Sequence, residues 1–289
     1  MVATNIRIKR GFAETPAGYI DYREAGSGPP LIMLHPTARS SRLFVPVIPH
    51  LAAGGIRAIG MSTMGFGESD RPDPPFDNLR QFAQTVVWLM DGLGLEKASV
   101  FGTHTGSQIA LATAAEFPDR VDKLILEEVF NWNTPARRAI HERIHRYYPE
   151  KEDGSHLVEL WKRHRGLAPE VDLRKVTEGF LDNLKVNSDE GCAEIYGPTG
   201  WEGSATHAMC KYETWEAAAK IKAPTLLIHG SESELGGANP KLQELIPRSK
   251  GVRPPTKARP DGAGGHFQCA SNPEYFAKIV LEFLGNPGV

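Results

Sequence analysis

The sequence predicts an α/β protein, with a mostly parallel central sheet, helices on both faces and an inserted helical cap. Three observations carry this. Short apolar runs at Leu31–Leu34, Ile56–Ile59, Val121–Glu127 and Pro224–His229 alternate with stretches of helical periodicity, the pattern of a parallel sheet covered on both sides. From Phe130 to about Lys220 the alternation stops and only helical patterns appear, a span of roughly 90 residues that is too long for a loop. Between Val100 and Ser107 an apolar run turns into a helix through two glycines, Gly102 and Gly106, placed symmetrically about His104.

Taken in order, Ile6–Phe12 and Tyr19–Glu24 read as an antiparallel hairpin around a turn at Pro16–Gly18. The strand Leu31–Leu34 leads into His35–Ser41 and then a helix over about Arg42–Ala53. The strand Ile56–Ile59 leads towards the glycine-rich turn Met64–Pro72. Asn78–Leu93 carries apolar residues at Phe82, Val86, Leu89, Met90 and Leu93, one face of an amphipathic helix. Ala98–Phe101 is a strand, and the residues from Gln108 to Phe117 form a helix. Within the insertion, helices are expected over Pro135–Tyr148, Ser155–His164, Leu173–Val186 and Ala205–Lys220. Pro224–His229, a helix near Pro240–Ile246 and a closing helix Pro273–Leu284 complete the chain. The core therefore spans 1–129 and 221–289, and the cap 130–220.

Bulk properties narrow the function. A chain of 289 residues with a formal charge of -2 has no electrostatic footprint for nucleic acid or an anionic membrane. No apolar run approaches a membrane span, and the opening MVATNIRIKR lacks the apolar centre of a secretory signal. Cys192, Cys210 and Cys269 show no paired or metal-type spacing, which suits a reducing cytoplasm.

The pattern Gly102–Thr103–His104–Thr105–Gly106 has the form of a nucleophile elbow, a tight strand-to-helix turn that raises its central side chain above the sheet. The usual central residue is serine; here it is His104. Imidazole tolerates the positive φ of such a turn better than a β-branched side chain does. Three roles are open to it: covalent nucleophile, general acid/base, or hydrogen-bond donor to an oxyanion. The acid/base role needs least space and is preferred. A catalytically dead elbow in a small-molecule receptor is the non-enzyme alternative.

Together, "ETPAGYIDYREAGSGPPLIMLHP", "MGFGESDRP", "GTHTG", and "PTLLIHG" followed by "GAGGHF" resemble the α/β-hydrolase superfamily, in particular its capped branch of haloalkane dehalogenases, epoxide hydrolases, C–C bond hydrolases and small esterases. The resemblance implies a cofactor-free enzyme acting on a small molecule. It implies that His266 is the catalytic histidine, and that backbone N–H groups of Thr37 and Thr105 form an oxyanion hole. The family acid follows either of two strands. At the later strand the expected aspartate is Ser233, flanked by Glu232 and Glu234. At the earlier strand Glu128 matches, and it is preferred because the later position is empty. Glu127 beside it must point away if Glu128 points in. Ester, lactone or carbon–carbon hydrolysis by a His104/His266 pair heads the expectations, with a lyase or cofactor-free oxygenase next.

Two further signals stand in the sequence. His141–Glu142–Arg143–Ile144–His145 spells the H-E-x-x-H of zinc helices, but Arg137, Arg138, Arg143 and Arg146 oppose a bound cation, so a solvated basic face and no metal are expected. Phe130 and Trp132, just beyond Glu128, are the best candidates to line an apolar substrate pocket.

Overall fold

The end of the central strand fixes where the chemistry must lie. In a computed structural model that describes residues 6–144, 148–167, 169, 171–187, 205–257 and 268–285, β5 (Ala98–Thr103) is buried along its whole length. It lies inside an eight-stranded sheet made with β1 (Lys9–Thr15), β2 (Gly18–Ala25), β3 (Pro30–Leu34), β4 (Arg57–Met61), β6 (Val121–Glu127), β7 (Thr225–Ile228) and β8 (Ser249–Val252). The order is β1-β2-β4-β3-β5-β6-β7-β8. β2 pairs antiparallel with β1 and β4, and all other pairs are parallel. Because side chains alternate along a strand, β6 sends Leu124 and Leu126 into one core and Ile125 into the other.

The first core lies under α2 (Leu79–Gly92) and α3 (Thr105–Glu116). α2 begins with a capping box in which Asn78 and Gln81 satisfy each other's backbone N–H groups. α3 is buried from Thr105 through Ala115 because it lies against the sheet, α2 and elements of the insertion. The second core lies under α1 (Ile48–Ala53) and the C-terminal helix Pro273–Gly285.

Three expectations are corrected. The helix over Arg42–Ala53 is a 3-10 turn, Ser41–Phe44, followed by α1. Pro46 and Pro49 cannot donate N–H groups, so one continuous helix cannot form; Pro49 instead sits in the first turn of α1. The helix over Ala205–Lys220 is also two pieces, Ala205–Met209 and Thr214–Ala218. Between them the Cys210 carbonyl accepts Arg138 Nε at 3.2 Å and Thr214 donates to Gln108 Oε1 at 3.1 Å, which turns the chain onto α3. β8 was not anticipated: Ser-Lys-Gly-Val has no apolar run, and it forms by pairing along β7 at the sheet edge.

The insertion contributes α4 (Pro135–Ile144), α5 (Ser155–Gly166), α6 (Leu173–Asn187), α7 (Ala205–Met209) and α8 (Thr214–Ala218). It docks on the loops at the carboxyl edge of the sheet. Ser40 donates to Asp182 at 2.9 Å, Lys185 pairs with Glu68 at 2.7 Å, and Thr206 meets Thr37 at 2.7 Å.

Candidate active site

The chain leaves β5 at His104, whose φ of 50° and ψ of -114° lie in a region costly for any side-chain-bearing residue. Two close approaches enforce the turn. A Cβ on Gly102 would lie 2.0 Å from the Gly106 carbonyl oxygen, and one on Gly106 would lie 2.2 Å from that of Leu34. Only glycine allows α3 to start so close to β3. The His104 N–H donates to the Glu127 carbonyl at 3.0 Å, and its own carbonyl accepts Ser107 N–H at 2.9 Å. The residue is 6% exposed.

Neither Ser107 nor Thr103 stands in for the missing serine. Ser107 is fully buried and its hydroxyl donates to the His104 carbonyl at 2.6 Å. Thr103 is buried on the Glu127 side of the sheet, in register with Glu127.

Thr37 and Thr105 stand beside the elbow. Thr37 lies in a turn closed by the Arg39 N–H and the Pro36 carbonyl at 3.1 Å, with Ala38 at φ 62°. Among the described residues, neither the Thr37 nor the Thr105 N–H has an acceptor. The Thr105 N–H heads α3, where the helix dipole favours negative charge. His35, just upstream, is structural. Its Nε2 accepts the Thr63 N–H at 3.0 Å, so its Nδ1 carries the proton and donates to the Pro36 carbonyl at 2.9 Å. Burial holds its pKa down at about 4.

Glu128 follows β6 with φ 58°. It is 1% exposed, and its carboxyl group accepts the Gly230 N–H at 2.7 Å and the Ser233 hydroxyl. The two possible acid positions thus converge: the serine standing where an aspartate was expected hydrogen-bonds the glutamate from the other strand. The Glu128 N–H donates to the Ile228 carbonyl at 2.8 Å, and His229 Nε2 donates to the Val129 carbonyl at 2.9 Å. Burial lowers the His229 pKa, which favours the neutral ring. These bonds clamp the strained backbone. Sequence reasoning missed His229 and Ser233 as supports; their only signal was the shared H-G-x-x-S segment. Glu232 and Glu234 are exposed.

Glu127 points to the opposite face, as alternation requires. It is 1% exposed and accepts the Gln268 N–H at 2.9 Å. Burial raises its pKa to about 8, outweighing the Gln268 hydrogen bond that opposes it.

Trp132 is packed into the first core, and half-buried Phe130 rests on it with ring centroids 6.2 Å apart. The Arg137 guanidinium covers the Phe130 ring at 4.6 Å, and Gln108 Nε2 donates to the Phe130 carbonyl at 2.5 Å. His266 and Cys192 lie outside the described residues, as do His145 and the side chains of His141 and Glu142. Among the described residues, no group of three His, Cys, Asp or Glu is placed to hold a metal ion. No helix there is long and apolar enough to cross a membrane.

A family model for the alpha/beta hydrolase fold matches residues 29–261. The chain belongs to the α/β-hydrolase fold family. Within it, the chain is 35% identical over 273 residues to a haloalkane dehalogenase of Mycobacterium marinum, covering 91% of this chain and 86% of the relative. It is 25% identical over 277 residues to a 2-hydroxymuconate semialdehyde hydrolase of Pseudomonas putida, covering 93% and 92%. The crystal structure of a hydrolase from Pseudomonas aeruginosa PA01 superposes with a TM-score of 0.73 at 21% identity, covering 98% of this chain and all of that one. This α/β-hydrolase fits the capped branch of the family, and by its kinship it is a hydrolase.

Proposed function

We propose that this α/β-hydrolase cleaves a small, partly apolar carbonyl compound (an ester, a lactone or a carbon–carbon bond beside a ketone) without a cofactor or a nucleic-acid partner. His104 and His266 form the acid/base pair. Glu128 orients His266, and the N–H groups of Thr37 and Thr105 receive the charge that develops on the carbonyl oxygen. The observation that carries the reading is the elbow itself: an imidazole at φ 50°, flanked by two N–H groups without acceptors among the described residues, with the hydroxyls of Thr103 and Ser107 turned away.

In the proposed scheme a neutral imidazole removes a proton from water as the water attacks the carbonyl carbon. The oxyanion is held by N–H groups already in place, and the imidazolium returns its proton to the leaving group. Two facing imidazoles titrate as a coupled unit. A carboxylate behind one favours its cation and leaves the other as a base near neutral pH. Phe130, resting on Trp132, supplies an apolar wall.

The likeness to a haloalkane dehalogenase raises alkyl halides as substrates, and elementary chemistry argues against them here. A saturated carbon carries no oxygen for an oxyanion site to stabilise. Alkylation of His104 would give an imidazolium that water does not cleave, whereas an acyl-imidazole hydrolyses readily.

The test is a panel of aryl esters, lactones, vinylogous diketones and 1-halobutanes, followed by intact-mass measurement. Turnover is expected on carbonyl compounds only. It should fall roughly 100- to 10,000-fold in both His104→Ala and His266→Ala, as loss of acid/base catalysis does, with the protein mass unchanged. Halide release, an adduct on His104, or saturable binding without turnover would each overturn the scheme.

A further inference from the structure

Three threonine hydroxyls meet beside the elbow, and counting their protons assigns a direction. Thr37 Oγ1 donates to Thr105 Oγ1 at 2.8 Å. Thr37 Oγ1 also lies 2.7 Å from Thr206 Oγ1. A hydroxyl has one hydrogen. Thr37 has spent its hydrogen on Thr105, so Thr206 must be the donor to Thr37. The chain therefore runs from Thr206 through Thr37 to Thr105.

The last hydrogen, on Thr105, has no acceptor among the described residues. Thr105 is 5% exposed and Thr206 is fully buried. A buried hydroxyl rarely leaves its hydrogen unused, and this one belongs to the residue whose N–H also lacks an acceptor among the described residues. Each donation along the chain polarises the next oxygen–hydrogen bond. The terminal hydroxyl is therefore a better donor than an isolated threonine. Two links lie in the core, on the loop after β3 and at the head of α3, while the third, Thr206, lies in the insertion.

We propose that the Thr105 hydroxyl is a side-chain donor to the substrate oxyanion. Thr37 and Thr206 are positioning residues that polarise it, so the insertion contributes to charge stabilisation through Thr206. This rests on the function proposed above and extends it: the site favours ligands that present an anionic oxygen, including a carboxylate product. It also makes the docking of α7 part of the catalytic arrangement.

The experiment measures binding of butyrate and benzoate by calorimetry at fixed pH, beside kcat and KM for the best ester of the panel. Thr105→Val removes the hydroxyl at constant shape and should weaken carboxylate binding roughly 10- to 100-fold, the range for a lost hydrogen bond to a charged group. It should lower kcat by a similar factor with KM for the neutral ester little changed. Thr206→Val should act in the same direction by several-fold, and Thr105→Ser and Thr206→Ser should restore both readouts. Unchanged carboxylate binding in Thr105→Val, with an unchanged melting temperature, would refute the proposal. So would a loss in Thr206→Val that Thr206→Ser fails to rescue. The binding arm needs no turnover. Weakened carboxylate binding in a protein that hydrolyses nothing would sink the hydrolase scheme and leave the oxyanion donor standing.

Discussion

Glu127 and Glu128 are neighbours in sequence, equally buried, and built for opposite tasks. Glu128 receives a backbone N–H and a hydroxyl, from Gly230 and Ser233. Glu127 faces the C-terminal helices, where one N–H, from Gln268, serves one of its oxygens and the other has no partner among the described residues. Burial then holds a proton on Glu127, with a pKa near 8. Removal from water is common to both, so burial alone distinguishes nothing. Each carboxyl group receives one backbone N–H; what differs is the Ser233 hydroxyl, a second donor that Glu128 has. The strand end at β6 sends one acid to each face, and the face that meets the β7 loop supplies its acid with a hydroxyl as well as a backbone N–H.

The largest effect expected from breaking this contrast is on activity. Glu128→Ala should cost roughly 1,000- to 10,000-fold in kcat/KM for the best carbonyl substrate, the scale seen when a histidine loses its orienting carboxylate. Glu127→Ala, measured in the same assay, should cost far less. Equal losses in the two variants would show that the carboxyl groups act through stability and would remove Glu128 from the proposed site.

A smaller effect sharpens the comparison. Because Glu128 and Ser233 touch, the carboxyl group can be moved across the contact. Ser233→Asp alone places two carboxyl groups together in a buried space and should destabilise the protein by several kcal/mol, since one charge must go unpaired. Combining it with Glu128→Ser restores one carboxyl and one hydroxyl in exchanged places. The double variant should regain both the melting temperature lost by Ser233→Asp and part of the activity lost by Glu128→Ala. A double variant no better than Ser233→Asp would mean that the β6 position cannot be substituted from β7.

This pair also shows what the sequence could reveal. The preference for Glu128 came from an empty place at Ser233, and alternation required Glu127 to turn away. Both are local patterns, and so is the elbow, whose glycines answer to close approaches of the Gly106 and Leu34 carbonyls. The bonds that hold the site are not local. Ser233 reaches Glu128 across 105 residues and Thr206 reaches Thr37 across 169, and single hydroxyls leave no periodic trace. β8 escaped notice for a related reason, since its pairing with β7 rather than its composition makes it a strand. The split of the helix after β3 is legible in Pro46 and Pro49, whose missing N–H groups outweigh the apolar spacing around them.

The last expected effect isolates Glu127, leaves activity aside and appears in stability alone. The ordinary value for this carboxyl group is 4.5, and the folded protein raises it to about 8. Below 4.5 both folded and unfolded chains hold the proton. Between 4.5 and about 8 the unfolded chain has released it while the folded chain keeps it. The folded state then binds more protons, so stability from this group falls as pH rises. Above about 8 both states are ionised and the dependence levels off. Within the window the slope is on the order of 1 kcal/mol per pH unit. Glu127→Gln keeps the shape of the protonated acid and an acceptor for the Gln268 N–H, but it has nothing to titrate. Urea unfolding at pH 5, 6.5, 8 and 9 should give a variant close to wild type at the acid end and increasingly more stable than it up to pH 8. An unchanged slope in the variant would mean that Glu127 is ionised in the folded protein. The donor count would then fail to separate the two acids, and the division of labour at the end of β6 would need another cause.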